Sequence, residues 1–449
     1  MMKKNLYIIL IVMLFGCEKY LEKIPDYKFP SELATSNLDS LESITNGIFN
    51  QLQSGNLFGG GLIANSELLS DNWDAPPISS FSLNQLRTRD LNAYNGEVNG
   101  LWNDAYRAIN MTNIVLHYLP VHENQDITKA TLIKGECLFV RAICHFELVR
   151  MFAQPAGYSA NNNHLGIPIK LTKSSATEGQ NTIRSSVDDV YNQVIQDLKE
   201  AIEFLPETKD SRVSKWAAIA YLAKVYFQKQ DYANTLLYCD EIINSGNFSL
   251  NTNVDEIYSV SGWNFSAETI FQLINLPEDM NNGVLTGRLK STSVSYNNPF
   301  DSLISLMNDE RKVKLYTFLG VPYLKKYSNT AMNITIIRLA EIYLTRAECK
   351  AMLNYADTEV REDYNIIKSR ANNSSDNSTT GQLTLLNAIH TERWIELGFE
   401  GDRFHDLKRR QAKFYTSIGD FEWNDPKLVY PIPQQEMDMN NNMIQNEGY

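Results

Sequence analysis

Basic residues are in short supply in this chain: 41 Lys and Arg stand against 53 Asp and Glu, a formal net charge of −12. A phosphate backbone demands a basic face, and no Lys/Arg stripe with interleaved aromatics runs through the sequence, which excludes nucleic acid as a partner. Histidine is scarce as well, with six in 449 residues, and the six are scattered. His145 falls on a helical face between Arg141 and Val149, and His405 falls inside a charged cluster. No HExxH, GxSxG, phosphate-loop or EF-hand string occurs, no CxxC, and no Cys/His group has zinc spacing. No metal site and no cofactor are therefore expected. Only five cysteines are present, and Cys137, Cys144, Cys239 and Cys349 all sit in apolar helical patterns. Cys137 and Cys144 are separated by roughly 10 Å along a helix axis, too far for a disulfide. All four read as small buried apolar residues. A long apolar run is also lacking. Residues 6–15 are continuously apolar, but a helix needs about 20 such residues to cross a bilayer.

What the chain does have is a large apolar content, 43% with 11% aromatic, which supports a sizeable globular core. Helical periodicity dominates it. Ala130, Ile133, Cys137, Leu138, Ala142, Phe146 and Val149 recur at three- and four-residue steps, and Pro155 and Gly157 end that helix. A second stripe runs from Ile336 to Ala351, and a third through Ala217, Ala218, Tyr221, Leu222, Val225 and Tyr226. The third is followed by Gln230-Asp231-Tyr232-Ala233 and a partner helix to Asn244, an arrangement like a tetratricopeptide unit. Further helix pairs are predicted near 98–119 with 129–152, 188–204 with 213–229, and 334–354 with 359–371. The fold class is thus mostly α, in irregular tetratricopeptide-like pairs over about 98–250 and 331–410. The first helical pattern is predicted to begin at Asn46. Residues 251–330 form a less regular insert with a β-like piece at Thr269 to Ile274, residues 372–381 a polar loop, and residues 420–449 an extended close.

The N-terminus carries an export signal: Lys3 and Lys4, then the apolar run, then Gly16 before Cys17. Leu14-Phe15-Gly16-Cys17 resembles the lipobox of bacterial lipoproteins. It implies a signal peptide at 1–16, lipidation at Cys17, and a tether at 17–45 leading into the domain at 46–449. Five further segments resemble one family in its order. They are Trp102-x3-Tyr106-x2-Ile109-Asn110, Gly135 to Arg150, Ile337 to Glu348, Thr391 to Leu407, and the ending Tyr430-Pro431-Ile432-Pro433 through Gln445-Asn446-Glu447-Gly448-Tyr449. This pattern is similar to the SusD/RagB family. The resemblance implies the SusD-like fold and a surface-exposed lipoprotein of the outer membrane, held to the membrane by its lipid. It also implies a SusC-like TonB-dependent transporter as partner and an oligosaccharide as ligand, or a peptide in the RagB-like branch.

The charged cluster 392–410 invites an enzymatic reading, since paired carboxylates are what glycoside hydrolysis uses. Glu392, Glu396 and Glu400, however, follow each other at helical spacing, which equally gives ion pairs along a helix. Carboxylates on adjacent turns of one helix do not straddle a glycosidic bond, so the cluster reads as structural and no catalytic residue is expected. Aromatics outside helices are the better ligand candidates, because a sugar's C–H face stacks on a ring while Asn, Asp or Arg read its hydroxyls. Two regions fit: Asp71, Asn72, Trp73 and Asp74 with Phe81 and Tyr94 beyond, and the insert with Trp263, Phe265, Arg288, Tyr296 and Phe300. Trp102, Trp216 and Trp394 lie in helical patterns and read as core. A tetratricopeptide scaffold would show cleaner repeats and no such insert, and a hydrolase would need an opposed acid/base pair. Both rank below nutrient capture.

Overall fold

A computed structural model describes residues 34–73, 78–174, 182–276, 278, 282–289 and 299–449. The chain is mostly helical, with a few short strands. Helix α1 (Leu38–Leu52) opens the described part, capped by the Asn37 side chain on the Ser40 amide. It starts eight residues before the position expected from the sequence. Its apolar stripe of Leu38, Leu41, Ile48 and Leu52 is fully buried. After α2 (Gly61–Leu69) and α3 (Phe81–Thr88) come two long helices, α4 (Gly96–His122) and α5 (Ile127–Phe152). Asn95 caps α4 through the Glu97 and Val98 amides, and Asp126 caps α5 through Lys129.

The stack continues with α6 (Val187–Phe204), α7 (Lys215–Gln228) and α8 (Tyr232–Asn244). Ala217, Ala218, Ala220 and Ala223 are buried on α7, and such small side chains let flanking helices approach closely. The turn into α8 is made by Gln230 at φ 59 and by Asp231, which caps Asn234. Then α8 packs on α11 (Leu339–Met352), α11 on α12 (Asp357–Arg370), and both on α13 (Gln382–Leu397). Successive helix neighbours run α1, α4, α5, α6, α7, α8, α11, α12, the irregular helix-pair stack predicted from the periodicities.

The insert between α8 and α11 holds β1 (Thr269–Leu273), α9 (Gly283–Leu289), α10 (Pro299–Leu306) and a small ribbon of β2 (Thr317–Phe318) with β3 (Val321–Pro322). One expected helix is corrected here. Residues 334–338 form strand β4 (Ile334–Arg338), antiparallel to β1, and α11 begins only at Leu339. The run Ile334-Thr335-Ile336-Ile337 is β-branched throughout, which favours a strand once β1 offers a ladder. The chain ends with α14 (Asp402–Arg409), hairpin strands β5 (Phe414–Thr416) and β6 (Gly419–Phe421), and the short α15 (Gln434–Met439).

The four cysteines Cys137, Cys144, Cys239 and Cys349 are buried and unpaired with each other, and burial pushes the Cys137 thiol up to about 12. No helix among the described residues is long and apolar enough to cross a membrane.

Candidate functional site

The charged cluster proves to be a buried ion-pair network: Asp406 pairs with Arg409 and Arg410 along one helix as expected, while the glutamates of α13 find their partners on other elements. Glu392 and Glu396 of α13 meet Arg311 at 2.6 and 2.9 Å. Glu396 also takes Arg338 at 2.6 Å, together with Arg370. Glu400, just past α13, pairs with Lys326 at 2.6 Å and Arg338 at 2.9 Å. On α14, Arg409 holds Glu348 and Asp406, each at 2.7 Å. Burial works against charge on Glu400, yet Arg338 and Lys326 hold it down to about 2. The network ties the insert and β4 to the C-terminal helices. His145 is equally committed: its Nδ1 donates to the Arg141 carbonyl, and its Nε2 accepts from the Lys170 amide. Burial and the Arg141 charge hold it at about 3, so it stays neutral.

The loop 70–73 leaves α2 and is anchored from four sides. Asp71 receives both Nε and Nη2 of Arg403, at 2.7 and 2.9 Å. Asn72 donates to Glu67 at 2.7 Å and accepts from the Trp394 indole N–H. Ser70 Oγ accepts from the Asn72 amide, and Arg89 donates to the Leu69 and Ser70 carbonyls. Burial pushes the Arg89 guanidinium down to about 10. Asp71 and Asn72 are thus buried struts whose polar groups are engaged by the fold, with Asp71 also lining the cleft beside Trp73. What they hold in place is Trp73. This ring is half-buried and shares a shallow cleft with Arg87 of α3, Arg89 just past it, Pro299 of α10, and Tyr415 to Ile418 of the β5–β6 hairpin. The enclosed part is only 20 Å³, room for about one water. A larger ligand would lie across the rim, where Tyr415 is 54% exposed.

The other candidates divide. Phe300 is fully buried among Tyr316, Trp394 and Phe399, so its ring is engaged in packing. Arg288 ties α9 to the α2–α4 pair through Asn65 and Glu97, each at 2.9 Å. Tyr94 is 76% exposed in the loop before α4. Trp263 is 63% exposed on a separate platform, a turn held by Asn333 donating to the Gly262 and Asn264 carbonyls. Phe265 beside it is half-buried. Asp74, Tyr296 and Cys17 lie outside the described residues. The Trp73 cleft thus gathers two expected residues, Asp71 and Trp73, with others that sequence reasoning did not single out, among them Arg87, Tyr415 and Ile418. The alternation around Ser417-Ile418-Gly419 was a hairpin signal that would have flagged Tyr415.

Trp394 organises this region. Its N–H reaches Asn72, its ring lies 5.7 Å from Phe300, and the Arg403 guanidinium sits 3.6 Å over its face. The loop bearing Trp73 and the helix beginning at Pro299 are both fixed on it. A larger cavity of 180 Å³, lined by Trp102, Tyr106, Asn110 and Lys170, lies on α4. Its Tyr106 hydroxyl already donates to the Pro168 carbonyl, and its Asn110 accepts from the Ser174 amide, so these groups serve the neighbouring strap.

Comparison with known proteins gives this architecture a context. Residues 19–227 match the family described as starch-binding associating with outer membrane, and residues 310–449 match the SusD family. The chain belongs to the SusD/RagB family. A SusD-like protein of Formosa agariphila is 23% identical over 99% of this chain and 98% of its own length. A putative sugar binding protein from Bacteroides vulgatus has a solved structure at a TM-score of 0.81 and 26% identity, covering 92% of this chain and 99% of that one. A laminarin binding SusD-like protein superposes at a TM-score of 0.73 and 21% identity, covering 92% and 100%. The SusD-like fold is therefore established over the helical stack, the insert and the C-terminal network alike.

Proposed function

We propose that this SusD-like chain is a surface lipoprotein of the outer membrane that captures oligosaccharide at the Trp73 cleft and delivers it to a SusC-like TonB-dependent transporter. The observation that carries the binding step is the pairing of Trp73 and the exposed Tyr415 on one cleft, with Arg87 beside them, on a loop fixed by buried ion pairs. Stacking rings on a rigid scaffold with a few polar groups suit a sugar face. The laminarin binding SusD-like protein and the putative sugar binding protein support the same ligand class.

Soluble protein lacking residues 1–17, screened on glycan and peptide arrays and then titrated by calorimetry, tests the reading. Trp73→Ala and Tyr415→Ala are each expected to weaken glycan binding about tenfold or more, as hot-spot aromatics do, with the urea midpoint nearly unchanged for Tyr415→Ala. Undiminished affinity in both variants, or binding to peptides alone, would sink it. Trp263→Ala tests whether the ligand reaches the second platform as well.

The anchoring half of the proposal rests on Lys3-Lys4, the apolar run and Gly16-Cys17. Cys17→Ala is expected to move the protein from the membrane to the soluble fraction on cell fractionation. Firm anchoring takes more than one acyl chain. Unchanged membrane association of the variant would refute lipidation at that residue.

A further inference from the structure

We propose that Glu67, as its carboxylate, is a positioning residue for the Trp73 loop, acting through a hydrogen-bond relay whose polarity only an anion at this point satisfies. The inference rests on the glycan-capture reading for its functional meaning, and on the geometry alone for its existence.

Glu67 is fully buried on α2. One of its oxygens accepts from the Gly401 amide at 2.7 Å, and the other from the Asn72 side-chain NH2 at 2.7 Å. The Asn72 oxygen in turn accepts from the Trp394 indole N–H. A backbone amide and an indole can only donate. The Trp394 end therefore fixes which way the Asn72 amide faces: its oxygen toward Trp394, its NH2 toward Glu67. Both oxygens of Glu67 then meet donors that have nothing to accept with. An amide at 67 would set one donor against another, and a neutral acid would carry an O–H with no acceptor in the relay, in either case leaving a buried group unpaired.

Gly401 makes its end of the relay possible. It sits at φ 80, and a Cβ there would lie 3.2 Å from the Ile63 Cα, so a side chain at this position would strain the backbone and crowd α2. Among charged neighbours, Lys326 favours the anion and Asp402 opposes it, while burial pushes the Glu67 carboxyl up to about 7. Other groups on the packed elements are already paired: Arg403 with Asp71, and Arg288 with Glu97. Trp73 is the next residue along from Asn72, so the relay sets the base of the ring that the ligand would meet.

The polarity argument can be inverted. In Glu67→Gln the new NH2 faces a donor whichever way it turns. In Glu67→Gln combined with Asn72→Asp, the Gln oxygen accepts from Gly401, its NH2 donates to Asp at 72, and the other Asp oxygen accepts from Trp394. Every donor is matched and the net charge is unchanged. The test uses the soluble chain at pH 8, where Glu67 is ionised, and follows amide hydrogen exchange of the peptide spanning the Trp73 loop. Glu67→Gln should speed exchange there by about tenfold, and the double variant should return it to near the parent rate. The relay is overturned by unchanged exchange in Glu67→Gln, or by a double variant as unprotected as the single. If Glu67→Gln alone does not fold, the double variant must still fold with parent protection, and its failure to do so overturns the relay too. The readout needs no ligand, so loss of the glycan reading through normal binding by Trp73→Ala would leave this result to stand or fall by itself.

Discussion

Replacing Arg338 by Ala should destabilise the chain by about 3–5 kcal/mol, the usual cost of breaking a buried ion pair from one side. This guanidinium sits at the junction of β4 and α11. It donates to Glu400 through Nε at 2.9 Å, to Glu268 and Glu396 through Nη1 at 2.8 and 2.6 Å, and to the Glu396 carbonyl through Nη2 at 2.8 Å. Its removal leaves three carboxylates, from the insert and from the end of α13, buried with less compensating charge, and Glu268 and Glu396 then depend on Arg370 and Arg311. Lysine is a poor substitute, because a single ammonium does not reproduce the planar fork. The same residue shapes the acid limb of stability. With Glu400 held down to about 2 in the folded chain, against an ordinary value of about 4.5, its contribution is fully present above pH ~4.5 and is lost as pH falls through about 2. Arg338→Ala removes much of that depression, so acid unfolding should begin at higher pH. Urea unfolding at pH 7 and a pH titration of the far-ultraviolet dichroism check both parts. A loss below about 1 kcal/mol would mean that the remaining cations already neutralise the network.

Much of the helical stack was legible because its apolar stripes are long and periodic. The helices expected near 98–119 and 129–152 are Gly96–His122 and Ile127–Phe152, and that expected near 188–204 is Val187–Phe204. The misreadings have physical causes. Residues 334–338 merge smoothly into the stripe of α11, and only the presence of β1 makes them a strand. The start of α1 at Leu38 carries a clear stripe, but its cap Asn37 lies in a stretch read as tether. At the site, Asp71 and Asn72 have the chemistry of hydroxyl-reading groups. Their partners Arg403 and Trp394 stand more than 300 residues away, and no local pattern announces a pairing across that distance. A polar residue beside an aromatic in a loop has the same composition whether it greets a ligand or braces the loop. Phe300 was ambiguous for the same reason. Tyr415 stands in neither of the two loop regions rich in aromatic and polar residues, and only the hairpin around Ile418 places it on the cleft.

Trp394→Ala is the variant expected to strike stability and binding together. Truncating a large packed aromatic typically costs about 3–5 kcal/mol, and Trp394 adds to that its contacts with Phe300 and Arg403. It differs from Trp102 and Trp216, which are buried within the helical stack, because it is half-buried beneath the loop that carries Trp73. Without the indole, the Asn72 oxygen loses its donor, Arg403 loses the face it lies on, and the Asp71 strut loosens with it. Glycan affinity should therefore fall in Trp394→Ala even at temperatures where the variant is fully folded. Trp216→Ala should instead lose stability while keeping its affinity. Trp394→Phe separates the two roles of the residue. It keeps a ring under Arg403 and beside Phe300 but removes the N–H, so its stability loss should be nearer the roughly 1–3 kcal/mol of one unsatisfied buried polar group, and its affinity should still fall. The checks are urea unfolding and calorimetric titration of all three variants against the same glycan. Normal affinity in folded Trp394→Ala would show that the Trp73 loop holds its shape without this support. The ligand site would then depend on the Arg403–Asp71, Arg89 and Glu67–Asn72 contacts.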